Sequence, residues 1–337
     1  MSVLLVTHPR YLDHDTGSGH PERPARLEAV LRGAAKSGLG DELVRVEPRS
    51  ATTDELERVH SGRYVAAIER FCAAGGGWLD ADTVAGPASY EAARLAAGAG
   101  LTAVERLRDG SATGAFCAVR PPGHHAEAAQ AMGFCLFNNV AVVAAALADH
   151  AERVLIVDFD AHHGNGTQEA FYGDPRVVYV SMHQFPLYPG TGRMEETGAG
   201  DGIGTNVNFP FPPGTTGDAY LAAVDEVVAP LAESWAPSWL LVSAGFDAHR
   251  SDPLTGLSLS VGDYADLMLR LRELAPPGRC IAYLEGGYDI DALVDSSAAC
   301  VAALAGQRVA AEPSTRGGPG RRIVDAVRSL QERHRSS

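Results

Sequence analysis

Lysine is nearly absent from this chain: Lys36 stands alone, and the rest of the 28 lysine and arginine residues are arginine. Beside abundant alanine and glycine, that imbalance reads as a coding bias without functional content. No Cys-x-x-Cys pair occurs, and Cys72, Cys117, Cys135, Cys280 and Cys300 are scattered and odd in number. This argues against a disulfide framework and a thiolate metal site, and fits a reducing cytoplasm. The N-terminus lacks a basic flank, and its apolar run is too short for a signal or membrane helix; it reads as the first strand of a soluble, intracellular chain. Positive charge is in deficit, with 28 basic against 42 acidic residues and a net charge of −14. That argues against a nucleic-acid surface and mildly favours basic or neutral ligands. No internal repeat is present. At 337 residues, 45% hydrophobic and 21% charged, the chain suffices for one large α/β domain or two smaller ones with a sizeable core.

Apolar runs suited to buried strands recur at Val3–Thr7, Phe116–Val119, Val154–Val157, Val177–Ser181, Trp239–Ser243 and Cys280–Leu284, with a weaker one at Leu43–Val46. Helical periodicity fills the intervals, for example at 89–107, 138–149, 219–233, 263–274 and 293–304. The alternation predicts a parallel sheet covered by helices on both faces. The stretch from His183 to Thr216 reads as one long Gly/Pro-rich loop, and Trp78–Thr83 as a surface loop. Residues 315–320 read as a linker, and Arg321–Arg335 as a peripheral helix.

In such sheets ligands bind beyond the carboxyl ends of the strands, and five strand ends carry chemistry-bearing residues. The central one is VLIVDFDAHHGNGTQ, residues 154–168. After its apolar run come Asp158, Asp160 and His162 at i, i+2 and i+4, which strand periodicity would point the same way. Asp160, His162 and Asp247 make a two-carboxylate, one-imidazole site with room for water and substrate. Such a site polarises a carbonyl and activates water. His124 and His125 supply a histidine held by the deeper carboxylate Asp158 and a proton shuttle. Tyr288, on a Gly-Gly loop, offers a hydroxyl to an oxyanion. These are the parts of an amide hydrolase. Taken singly, each has a plainer explanation in a surface loop, a helix cap or core packing; their convergence on one sheet edge outweighs it.

The motifs RPPGHHA, DFDAHHGNGTQ, SMHQ with YPGTG, SAGFDAHRSDPLTGL and LEGGYD resemble those of the zinc-dependent histone deacetylase family. That family includes acetylpolyamine amidohydrolases and acetoin-utilisation-type proteins, and shares its fold with arginase. The resemblance runs from HPERP near residue 20 to about residue 305, and DFDAHHGNGTQ is similar to the class II branch. It implies a single open α/β domain around an eight-stranded parallel sheet, here 1–310, followed by a linker and helix, 311–337.

By position, the resemblance makes Asp160, His162 and Asp247 the ligands of zinc, with iron(II) as the alternative. His125 corresponds to the general base and acid, His124 to its electrostatic partner oriented by Asp158, and Tyr288 to the carbonyl-polarising phenol. Asp158, backbone oxygens of Asp160, His162 and Met182, and the Ser181 hydroxyl match an inner potassium site; Phe171, Asp174 and Val177 match an outer one. Gly133-Phe134 and Tyr188 correspond to the walls of the acyl-lysine channel, the latter commonly phenylalanine. Gly286 and Gly287 belong to the same substrate-facing surface. Leu254 falls at a gatekeeper position that is acidic in polyamine-selecting relatives. Asp82, with Asp80 as the alternative, corresponds to the carboxylate that holds the substrate backbone. Asn165 replaces the aspartate of many relatives beside the histidine base, and a neutral amide leaves His125 with a lower pKa than a carboxylate would. The implied activity is removal of acetyl or other acyl groups from lysine side chains of a peptide or protein, or else from acetylpolyamines or another small acylated amine.

Overall fold

The structure is a computed structural model that describes residues 2–336; Met1 and Ser337, the outermost residues of the two expected segments, lie outside them. In chain order its strands are β1 (Val3–Val6), β2 (Leu43–Val46), β3 (Gly77–Trp78), β4 (Val84–Ala85), β5 (Gly114–Cys117), β6 (Val154–Asp158), β7 (Val177–Gln184), β8 (Asn206–Phe211), β9 (Trp239–Ala244) and β10 (Cys280–Leu284). Eight form one sheet in the order β2-β1-β5-β10-β9-β6-β7-β8, with every pairing parallel. Strands β5, β6, β9 and β10 are buried throughout. Helices take up both faces, as unbroken apolar strands require. The expected class, one α/β domain on an eight-stranded parallel sheet, is the architecture observed.

Three sequence-based expectations need correction. The apolar run at 116–119 starts its strand earlier, at Gly114, and its last two residues already belong to the loop toward the histidines. The long loop expected over 183–216 contains β8, and β7 extends through His183 to Gln184. Asn206, Asn208 and Pro210 hid β8. As an edge strand it tolerates proline, and both asparagine amides donate to Gln168 Oε1, at 2.9 and 2.8 Å. The 219–233 helix is interrupted: helix 217–223 passes through a wide π turn, 224–228, into helix 229–235. Of the segment 78–83, Trp78 ends β3 opposite Val84 and 79–83 form the tip of the β3–β4 hairpin.

The C-terminal helix, Arg321–Ser336, buries Val324 and Val327 and lies against β8 and the π turn. The segment before it is tied down. Thr315 donates through its amide (2.9 Å) and hydroxyl (2.7 Å) to Asp263, and Glu312 accepts from Arg250 (2.6 Å). Among the described residues no helix is long and apolar enough to cross a membrane.

Candidate active site

At the carboxyl edge of the sheet, β6 ends at Asp158. Asp160 and His162 therefore lie in a loop, and strand periodicity does not explain their placement. A ladder of side chain to backbone bonds does. Asp158 Oδ1 accepts the Asp160 amide (3.1 Å), and Asp160 Oδ1 accepts the His162 amide (2.9 Å). Asp247, beyond the end of β9, accepts the Ala161 amide at 2.8 Å and locks the two loops together.

Asp160, His162 and Asp247 thereby present ligand atoms within 4.8 Å of one another. His162 Nδ1 donates to Asp247 Oδ2 (2.9 Å) and approaches Asp160 Oδ1 (3.2 Å). Burial and the neighbouring Asp160 push the Asp247 carboxyl up to about 7. Burial opposes a charge on His162, yet its bonds to Asp160 and Asp247 raise it to about 10. Two buried carboxylates thus draw in positive charge, and this donor set fits a divalent cation. Glycine is required around it. A Cβ on Gly245 would collide with Asp160 Oδ2, and one on Gly286 with Asp247 Oδ2. The Gly286 amide donates to Asp160 Oδ2 at 2.7 Å.

The adjacent histidines are set apart electrostatically. His124 Nδ1 donates to Asp158 Oδ2 at 2.9 Å; burial disfavours its charge, but Asp158 and Asp160 raise it to about 10. His125 Nδ1 meets Asn165 Oδ1 at 2.8 Å. Burial, reinforced by His124 and His162, holds His125 well below the usual imidazole range. The surroundings thus favour charge on His124 and neutrality on His125, the division that acid and base roles need. Tyr288 lies against the Arg26 guanidinium, 4.8 Å from its ring. Burial keeps its phenol protonated far above neutrality, so it donates hydrogen bonds.

The wall and rim residues assemble around this floor. Tyr188 lies edge-on to His125 (5.3 Å between ring centroids) and 6.4 Å from the His162 ring. Phe134 lies edge-on to Tyr288 at 5.9 Å. Gly133 and Phe134 both have left-handed backbones, φ 56° and 68°, and for phenylalanine that is a strained conformation of the kind found at binding sites. Asp82 Oδ1 accepts from the Thr83 hydroxyl (2.8 Å), whose oxygen accepts the Phe134 amide (3.1 Å). Asp82 also lines a cleft of about 400 Å3 with His20, Trp78 and Phe134. Asp80 instead accepts the amides of Asp82 and Thr83 and shapes the hairpin tip. Leu254 is 39% exposed at the surface.

Ser181 pairs in register with Asp158; its hydroxyl bonds His183 Nδ1 at 2.8 Å, and Met182 O accepts from the Tyr220 hydroxyl at 3.1 Å. Phe171 and Asp174 lie in the turn before β7, which Val177 begins, with Phe171 O and Asp174 O accepting the amides of Asp174 and Val177.

Sequence reasoning missed a set of supporting residues. Glu22 pairs with Arg120 at 2.5 and 2.7 Å, and Arg26 donates to Gly287 O (2.6 Å) and Glu285 O (2.5 Å), all buried. Burial would raise the Glu22 carboxyl, but Arg120 and His14 hold it well below the usual range. Asp252 joins the Leu254 amide to the Tyr288 amide, at 2.9 and 2.7 Å. Glu285 accepts the amides of Gly123 (2.7 Å) and His124 (3.2 Å). Glu127 accepts from Asn165 Nδ2 at 2.7 Å. Their signal was present, since Glu22, Asp252 and Glu285 lie inside quoted motifs; what was missing was the identity of their distant partners.

Comparison with known proteins agrees with this geometry. Residues 20–304 match the Histone deacetylase domain. The chain is 40% identical over 313 residues to a "Probable deacetylase" of Archaeoglobus fulgidus, covering 91% of this chain and 87% of that one. It is 39% identical over 327 residues to "Histone deacetylase 10, chloroplastic" of Oryza sativa subsp. japonica, covering 90% and 73%. The crystal structure of the HDA15 HD domain superposes with a TM-score of 0.89 at 37% identity, covering 98% of this chain and 94% of that one. The two sequence relatives are deacetylases by name, and the match spans the strands, the loops and the site between them. The chain belongs to the histone deacetylase family and is a hydrolytic deacetylase.

Proposed function

We propose that the chain removes acyl groups from lysine side chains of peptides or proteins, with zinc (iron(II) being the alternative) held by Asp160, His162 and Asp247. The observation that carries this reading is the Asp160, His162 and Asp247 triad, its ligand atoms within 4.8 Å of one another, with His124 held on Asp158, His125 on Asn165 and the Tyr288 loop tied to Asp160 through the Gly286 amide. When bound, the ion supplies Lewis acidity to the amide carbonyl and activates water. The residues of the chain do the rest. His125 takes a proton from the attacking water at its free ring nitrogen and passes it to the departing amine. His124, charged through Asp158, stabilises the negative charge that develops. Tyr288 donates its hydroxyl to the same oxyanion. Phe134 and Tyr188 flank the acyl chain, Gly133, Gly286 and Gly287 let substrate approach, and Asp82 holds the substrate's backbone amides.

Asp82, which lines the cleft beside Phe134, is favoured over Asp80, which is occupied within its own loop. Uncharged Leu254 supports lysine over polyamine. The small acylated amine remains the second reading, favoured by the −14 charge and by the carboxylate at the cleft. The remaining assignments from the same resemblance are potassium at Asp158, the backbone oxygens of Asp160, His162 and Met182 and the Ser181 hydroxyl, a second potassium at Phe171, Asp174 and Val177, and residues 1–310 as the catalytic domain with 311–337 as linker and peripheral helix. A cytoplasmic setting rests instead on the five unpaired, buried cysteines. One preparation assayed on acetyl- to octanoyl-lysine peptides beside N-acetylated polyamines, with metal analysis, tests the whole reading. Turnover of polyamines alone would overturn the lysine assignment, and full activity in rigorously metal-free protein would overturn the metal.

A further inference from the structure

An asparagine side chain has two ends of nearly equal size, one that only accepts and one that only donates. Which end faces His125 decides where the histidine carries its proton. Asn165 Oδ1 lies 2.8 Å from His125 Nδ1, so Nδ1 bears the hydrogen and Nε2 keeps its lone pair. A flipped amide would present its NH2, move the hydrogen to Nε2 and leave nothing there to accept a proton. His125 itself favours neither arrangement.

The other end of the amide settles the matter. Asn165 Nδ2 faces Glu127 Oε1 (2.7 Å), Met132 Sδ (3.3 Å) and the His125 carbonyl (3.4 Å). Glu127 is the nearest of these and the only one that carries charge, and bonds to a carboxylate are roughly twice as strong as neutral ones. A carboxylate has no hydrogen to offer, so a flipped Asn165 would set two oxygens face to face. Glu127 is itself anchored. Its carbonyl accepts from His60 Nδ1 (2.9 Å), whose Nε2 accepts the Asn138 amide (2.9 Å), and its own amide donates to Gln130 O (3.0 Å).

We propose that Glu127 is a positioning residue that fixes the tautomer of His125 by holding the Asn165 amide in one orientation. The inference rests on the reading of His125 as the base only in its kinetic consequence; the tautomer itself is independent of it. The sequence-based view of Asn165 as a lone neutral substitute for aspartate is thereby extended: amide and carboxylate act as a pair. A consequence follows for Asn165→Asp. Its new carboxylate would confront the Glu127 carboxylate at hydrogen-bond distance with no hydrogen between them, so the substitution harms through Glu127.

The test uses zinc-loaded, 15N-histidine-labelled protein, with His125 assigned by substitution. Imidazole 15N shifts should report a single Nδ1–H tautomer in the wild type. In Glu127→Leu and Glu127→Gln an Nε2–H population should appear, with kcat lowered about 10- to 100-fold, the usual effect of losing an outer partner at such a site, and KM little changed. Asn165→Asp should also lose activity, and Glu127→Gln added to it should restore activity, because glutamine donates to the new carboxylate. That reversal of sign is beyond a merely structural role. An unchanged His125 spectrum in both folded Glu127 variants would overturn the proposal, as would a Glu127→Gln effect of the same sign in both backgrounds. A tautomer shift without any loss of kcat would sustain it and count instead against His125 as the base.

Discussion

The floor of the site and its rim are built on different terms. On the floor Asp158, Asp160 and Asp247 are fully buried, and each side chain is held by an amide or imidazole from another loop, those of His124, Gly286 and Ala161 respectively. On the rim Trp78, Tyr188 and Leu254 are 65%, 38% and 39% exposed. A floor so constrained fits one chemistry, whereas Trp78 and Leu254 carry side chains open to solvent, and of the three rim residues Tyr188 is the one seen packing on floor rings, those of His125 and His162. The contrast predicts that reaction and substrate preference are separable at Trp78 and Leu254.

The strongest way to break that contrast is at the proposed metal ligands. Asp160→Ala should cut bound metal from near-stoichiometric to trace and turnover by about 10³-fold or more, the equivalent of several kcal/mol of charge stabilisation. Elemental analysis beside a single-turnover assay reads both, and retained metal with retained activity would remove Asp160 from the centre. Tyr288→Phe should leave fold and metal untouched and lower kcat by about 10²–10³-fold; unchanged turnover on an amide would strip the phenol of its role.

Beneath the floor, His60 and His183 are held neutral by burial, each lowered to about 4. The unfolded chain binds those protons near pH 6.5, so between about 6.5 and 4 it holds more protons than the folded one. Stability from each histidine is therefore complete above pH 6.5 and lost as pH falls toward 4, by about 3 kcal/mol apiece. Buried Asp247 and Glu285, each raised to about 7, gain protons on folding over the same window and oppose that loss, so the histidine share is read as a difference. Between pH 8 and 4 the urea midpoint of a His60→Gln, His183→Gln variant should fall less than that of the wild type, and parallel profiles would mean these rings are not buried as neutral groups.

The smallest effects belong to the rim. Trp78→Ala should leave kcat on a minimal acyl-lysine unchanged and raise KM only for substrates with a cationic flank, about 2- to 5-fold for a lost cation–π contact. Leu254→Glu should move preference toward acetylated polyamines while leaving metal content alone. A kcat effect in either variant would show that rim and floor are coupled after all.

What was legible in the sequence follows the same division. Buried strands wrote themselves as apolar runs, and the floor residues lie next to those runs, so position along the chain revealed them. Strand β8 did not, because its apolar positions alternate with asparagines whose partner, Gln168, belongs to another element. Glu127 and Asn165 lie 38 residues apart, and Gly123 and Glu285 lie 162 apart. No local periodicity encodes such pairs. The placement of Asp160 and His162 was anticipated for a partly wrong reason, since amide-to-carboxylate ladders in a loop did what strand alternation was expected to do.

The buried Glu22–Arg120–Arg26 cluster has a consequence for how the protein comes into being. Arg26 grips the carbonyls of Glu285 and Gly287, 259 and 261 residues further on. During synthesis that arginine leaves the ribosome long before its acceptors exist, and contacts of such separation form late. The loop that carries Tyr288 is thus fastened by an arginine made long before it, and the nascent chain holds a buried-type ion cluster open until both are present. No shorter N-terminal fragment should be active, and chains stalled before residue 288 should be open to proteolysis around Glu22.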